Sequence, residues 1–143
     1  MALVERGGEV RARHVADVTA NKVREVLVTQ ASRKSDLKTD RAALYDAMGR
    51  EFNSHEAVNH SAGEYVRDDT HTNTIESFFA IIKRQMYGTH HAVSEQHLQR
   101  YVNEIAFKWN NRSALKIEDT QRANNALSGI TGKRLTYRPV DPA

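Results

Sequence analysis

The stretch from His71 to Gly88, HTNTIESFFAIIKRQMYG, constrains this chain more than any other. Ile75, Phe78, Phe79, Ile82 and Met86 recur at i, i+3, i+4, i+7 and i+11, the 3.6-residue period of an amphipathic helix. A helix with such a stripe must bury it, so the rest of the chain has to supply a core. Gly88, after Tyr87, predicts where the helix stops. Glu76 and Lys83 lie seven residues apart, on one side of the helix and two turns from each other. That side borders the apolar stripe, and Asn73 lies near the same edge one turn earlier. A carboxylate there can point along the rim of a core into a cleft. The default account of the same spacing is plainer: a core stripe, a boundary carboxylate in an ion pair, and a solvated Lys83-Arg84.

Other stripes fill in the chain. Leu98, Tyr101, Val102, Ile105, Ala106 and Trp109 predict a second long helix from near Ser94, ending at Asn110-Asn111-Arg112-Ser113. Thr19 through Gln30 predicts a helix with Val23, Val26, Leu27 and Gln30 on one face and Thr19 as its N-cap. Glu118 to Leu127 predicts another. Gly7-Gly8 between two short β-type runs, 2–6 and 9–15, predicts a hairpin, because primed turns need positive φ. Val10, Ala12 and His14 alternate with Arg11 and Arg13, a strand with one wet face; those arginines face DNA or plain solvent. Asp36 to Thr39 and Ala57 to His60 are short strand candidates.

Asp40 precedes a short helical run, Arg41 to Gly49, for which it is a natural N-cap. Capping and metal ligation are compatible, since a carboxylate has two oxygens. Ser61 to Thr70 reads as a long polar loop, a kind of segment that often carries function. The basic tail from Lys133 to Pro139, with Tyr137 inside it, reads as a phosphate-tracking segment or a frayed terminus.

Hairpin, helix, strand, helix, strand and then consecutive helices is an α/β order. A chain of 143 residues suits a single domain, 1–143. The 21 Lys+Arg against 18 Asp+Glu give a net charge of +3, which is compatible with nucleic acid without establishing it. The lack of cysteine excludes a disulfide framework and a thiolate metal site. No apolar run suffices to span a membrane, and Glu5-Arg6 interrupts any signal-peptide core. These features read as a soluble cytoplasmic protein with no membrane partner.

From His71 through Tyr101 to Phe107-Lys108-Trp109-Asn110-Asn111-Arg112, the chain resembles the catalytic domain of bacterial insertion-sequence transposases of the DDE type, the ISXO-like group. The family pattern opens on His-x-Asn-Thr-Ile-Glu. It continues through a Phe-aromatic pair, Lys-Arg, Tyr-Gly, paired His, Val-Ser and His-Leu-x-Arg-Tyr, and closes on aromatic-x-x-Asn-x-Arg. The resemblance covers nearly the whole chain, from Leu3-Val4-Glu5-Arg6-Gly7-Gly8 to Tyr137-Arg138.

This resemblance implies a ribonuclease-H-like fold, a mixed sheet flanked by helices. In that fold, acids from two strands and one helix converge on two divalent metals, Mg²⁺ or Mn²⁺. Carried over by position, Asp40 is the second acid and Glu76 the third. Asn73 is the alternative at the third position; it reads better as an orienting group or secondary ligand, because a carboxylate neutralises metal charge and an amide does not. Lys83 matches a basic residue suited to a phosphate. Arg84, His90, His91 and Arg112 are further nucleic-acid contacts by the same carry-over.

The implied partner is DNA, both element ends and target, and joining two ends implies a homo-oligomer. The implied function is DNA transposition by metal-dependent strand cleavage and transfer. Water first frees a 3′-hydroxyl, which then attacks target DNA. The family's first acid lies on a strand upstream of the hairpin. The chain is therefore expected to lack the first strand and its aspartate, and to be inactive alone. Two alternatives stand beside this reading: a non-catalytic nucleic-acid-binding or regulatory derivative, and a metal-dependent hydrolase built on Asp68, Asp69, His71 and Glu76.

Overall fold

Two short runs of alternating side chains, turned back on each other by Gly7 at φ +69°, form the hairpin at the start of the chain. Strand β1 (Ala2–Val4) pairs antiparallel with β2 (Val10–Ala12), with Leu3 opposite Arg11. The computed structural model describes residues 1–40, 42–58, 66–67 and 70–133, with the backbone alone at 66, 67, 70 and 71. Two compact units make up the chain, Met1–Asn110 and Asn111–Ala143.

In the first unit the hairpin separates two hydrophobic clusters. Ala2, Val4, Val10 and Ala12 join Phe78, Ile105 and Trp109 in one cluster, while Met1 and Leu3 pack against Val23, Leu27, Met48 and Phe52 in the other. Successive β1 side chains therefore serve opposite faces, as the period of a strand requires. Helix α1 (Ala20–Gln30) starts at Thr19, whose side chain accepts a hydrogen bond from the Lys22 N–H at 3.4 Å, and buries Val23 and Leu27. Strand β3 (Asp36–Asp40) pairs in parallel with β4 (Ser54–Val58), Asp36 opposite Ser54 and Asp40 opposite Val58. Parallel strands need a crossover; here it contains a 3₁₀ turn (Ala43–Tyr45) and the single-turn helix α2 (Asp46–Gly49). Helix α3 (Asn73–Gln85) runs into a π-helical turn (Met86–His90), and α4 (Glu95–Asn110) follows.

Side chains of α4 close the outer edge of β2. The Asn110 amide accepts from the Val10 N–H at 2.7 Å and donates to the Val10 carbonyl at 2.9 Å. The Gln99 amide likewise accepts from the His14 N–H at 2.7 Å and donates to the Ala12 carbonyl at 3.3 Å. An edge strand covered in this way cannot template pairing with another chain.

The second unit holds a 3₁₀ turn (Ser113–Leu115) and helix α5 (Asp119–Ser128). There Asn111 is buried, its carbonyl accepting from Arg122 and its side-chain oxygen from Asn125, both at 2.7 Å. The basic tail beyond Lys133 lies outside the described residues.

Several expectations change. The α/β class holds, but the described strands form three separate two-stranded sheets rather than one mixed sheet. The third pairs β5 (Val66–Arg67) with β6 (Thr70–His71), inside the segment expected as loop. Strand β4 begins at Ser54 rather than Ala57, because it follows directly on the buried Phe52 and pairs from Ser54 onward; Asn59 and His60 lie outside the described residues. Asp40 is the last residue of β3, not a helix cap. The 3₁₀ turn is preceded by Ala42 and has no side-chain cap, and the Ala42 N–H donates to the Asp40 carbonyl at 3.0 Å. Gly88 does not stop α3. It sits within the π-helical turn, which keeps Met86 on the core and the His90 ring 4.5 Å from Tyr101, and the reversal falls at His91, φ 57°. Among the described residues, no helix is long and apolar enough to cross a membrane.

One ion cluster ties α1 to the segment before β4. Glu51 Oε1 and Oε2 accept from Arg24 Nε and Nη2 at 2.5 and 2.8 Å, and Oε2 also accepts from Arg33 Nη1 at 2.5 Å. Hydrogen bonding from Arg24, then from Arg33, holds the Glu51 carboxyl at about 2, down from an ordinary 4.5. A carboxylate with a depressed folded pKa contributes stability above its unfolded pKa and loses it as pH falls toward the folded value. Glu51→Gln should therefore lower the urea midpoint at pH 7. The gap between wild type and variant should close as pH drops from 4.5 toward 2; a pH-independent gap would show that the charge contributes nothing.

Candidate active site

Asp40 ends β3 with its side chain exposed, but its backbone is held from the neighbouring strand. The buried Thr39 donates its hydroxyl proton to the Asp40 carbonyl at 2.7 Å. The Thr39 hydroxyl also lies 2.8 Å from His55 Nε2, a hydrogen bond across the parallel pair whose direction depends on the imidazole tautomer. The His55 ring in turn fills the space over Gly49, where a Cβ would stand 2.2 Å from Nδ1. The charge of Asp40 also acts on Tyr45. Burial, and then the negative charge of Asp40, push its phenol above the ordinary 10.

Glu76 lies in the first turn of α3, where the helix dipole favours a carboxylate. The residue before the helix, Thr72, is buried and makes no side-chain cap. Its hydroxyl instead donates to Glu76 Oε1 at 2.5 Å, and the Glu76 N–H donates to the Thr72 carbonyl at 3.0 Å. The hydroxyl bond orients the carboxylate, and the backbone bond begins the helix ladder.

The two acids line one cleft of about 1150 Å³, walled by β1, by β3 and by the start of α3. Thr72, Tyr45 and Phe79 line it too, whereas Asn73 is exposed on the helix and does not. Lys83 and Arg84 are exposed farther along α3. His90 is partly buried; its Nε2 has no hydrogen-bond partner among the described residues, and its ring packs on Tyr101. His91 is exposed, and Arg112 belongs to the second unit, half-buried. Asp68 and Asp69 lie outside the described residues. Among the described residues, no group of three His, Cys, Asp or Glu side chains could hold a metal.

Sequence reasoning missed the supporting residues. Thr72 was detectable as a Thr four positions before the acid, one helical turn away. His55 and Gly49 carried no signal, since their contact depends on how the crossover folds. Asn110, part of the closing motif, proves to hold the β2 edge through both its amide groups.

Comparison with known proteins adds one match. The family model described as an ISXO2-like transposase domain matches residues 1–110, which are the whole of the first unit. No curated protein and no solved structure matches the chain.

The stack of Gly49, His55, Thr39 and Asp40 yields a stability prediction. Gly49→Ala must displace the His55 ring, and should cost about 1–3 kcal/mol in a urea titration. An unchanged midpoint would show that the ring is not confined there.

Proposed function

We propose that this chain, which belongs to the ISXO2-like transposase domain family, acts in DNA transposition by metal-dependent cleavage and transfer of DNA strands. The observation that carries the proposal is that Asp40, at a strand end, and Glu76, on a helix, both line one cleft. The finer fold reading goes with it: the domain is a variant of the ribonuclease-H-like α/β fold, with the cleft walled by β1, β3 and the start of α3.

The donor set fits a hard cation. Carboxylate oxygens suit Mg²⁺ or Mn²⁺, and Mg²⁺ binds through one or two carboxylates while completing its shell with water and substrate phosphate oxygens. Asp40 and Glu76 would hold it. When bound, such an ion supplies charge neutralisation at the phosphoryl oxygens. The chain's own groups do the rest. Thr72 keeps Glu76 turned by its hydroxyl hydrogen bond. Tyr45, its pKa raised, stays protonated beside Asp40 at neutral pH and can donate a hydrogen bond. Lys83 and Arg84 hold phosphates of DNA leading to the cleft. Water attacks first and frees a 3′-hydroxyl, which then attacks target DNA, with no covalent protein–DNA intermediate. Because two element ends must be joined, the active assembly is a homo-oligomer, and its DNA substrate puts it in the cytoplasm.

A second reading, DNA binding without catalysis, is favoured by one observation: among the described residues, no three His, Cys, Asp or Glu side chains are grouped so as to hold a metal. Calorimetric titration with Mn²⁺ tests the metal site. Asp40→Asn and Glu76→Gln should each weaken binding by at least about tenfold, and Asn73→Ala should leave it unchanged. Equal affinity in all four proteins would sink the shared-metal reading. Nicking of duplex DNA in Mg²⁺ that is lost in Glu76→Gln supports catalysis. Binding that resists EDTA, with no nicking by wild type, supports the binding module.

A further inference from the structure

Helix α3 carries an exposed face that the two acids do not explain. At about 100° per residue, Lys83 is turned only about 20° from Glu76, and Ala80, Arg84 and Tyr87 fall on the same side. All of them are exposed. Two aromatic rings stand out on this face, Phe79 at 37% exposure and Tyr87 at 78%; every other aromatic side chain described is buried or half-buried. Phe79 faces the cleft beside Glu76. Tyr87 lies eleven residues beyond Glu76, about 16 Å along a helix axis.

The backbone under Tyr87 is fixed on both sides. Met86, just before it, packs into the core. Just after it, the His90 ring rests on Tyr101 at 4.5 Å, and the Ala92 N–H closes on the His90 carbonyl at 2.6 Å around His91, φ 57°. A widened π-helical turn of this kind is frequent at functional sites. The result is a large ring presented to solvent from a rigid support, one turn beyond two exposed cations.

That pairing matches one ligand chemistry. Cations track the phosphates of a nucleic-acid strand, and an exposed ring supplies a platform for an unpaired base. We propose that Tyr87 stacks on an unpaired base of a DNA end whose phosphates are held by Lys83 and Arg84. The inference rests on the DNA-binding part of the proposed function and deepens it: this face of α3 binds the single-stranded part of the end. At the 3.4 Å rise of one strand, 16 Å places the stacked base about five nucleotides from the phosphate in the cleft.

The test uses the purified chain and two probes: a short blunt duplex, and the same duplex with a single-stranded 3′ tail carrying 2-aminopurine. Wild type should bind the tailed duplex more tightly than the blunt one and quench the 2-aminopurine. Tyr87→Ala should lose the quenching and about tenfold in affinity for the tailed duplex, leaving the blunt duplex unchanged, while Tyr87→Phe keeps both. Lys83→Ala should weaken both duplexes and lower the salt slope by about 0.9. Salt-dependent binding of both duplexes with no effect of Tyr87→Ala would overturn the stacking inference and leave the DNA reading standing. Absence of salt-dependent binding to either would overturn the DNA reading, and the inference with it. Loss of self-association in Tyr87→Ala with DNA binding intact would assign the ring to a protein partner and overturn the inference.

Discussion

The burial of Phe78 sets the geometry of everything around it. Its side chain is 0% exposed, between the hairpin residues Ala2 and Val10 and Ile105 of α4, with the Trp109 ring edge-on at 5.4 Å. Burying a phenylalanine side chain contributes about 1.5–3 kcal/mol, and the edge-to-face ring pair adds to it. Turning α3 by one residue, about 100°, would bring Ser77 or Phe79 to that position. The rotation of α3 is therefore fixed, and with it the direction of Glu76 toward the cleft and of Lys83, Arg84 and Tyr87 toward solvent.

The hairpin is the second fixed point, because side chains on both faces of β1 pack against a hydrophobic cluster. Alternate side chains of β1 go to two different clusters, so the strand cannot slip by one residue without exchanging its contacts with both. Its two edges are treated differently. The β2 edge is closed by amides from α4, while β1 lines the cleft. The helix that completes the core thus also decides which side of the hairpin stays open to a ligand.

The acids are held by local polar contacts rather than by burial. Asp40 is exposed, yet its strand end is held by Thr39, by His55 across the parallel pair, and by the absence of a Cβ at Gly49. Glu76 is exposed, yet Thr72 gives it a hydroxyl donor from within the same turn. Both carboxylates thereby avoid the desolvation cost of a buried charge, and Thr72 gives that of Glu76 a defined direction.

The sequence by itself determined the elements whose signals are local. The 3.6 period of 75–86 and of 98–109 placed α3 and α4, Thr19 marked the start of α1, and Gly7-Gly8 turned the hairpin. The long match around His71 to Arg112 was enough to indicate the family, since its residues stand in order along the chain. Local signals misplaced what depends on neighbours. Gly88 reads as a stop, but Met86 and His90 both pack inward and the turn widens past it. Asp40 reads locally as a cap, while the resemblance puts it at the end of a strand; pairing with Val58 makes it the last residue of β3. Only the tertiary structure brought Asp40 and Glu76 to one cleft, set Asn73 outside it, and put His55 over Gly49. Those relations depend on packing between segments distant in the chain, and no period or spacing encodes which face of one element another will cover.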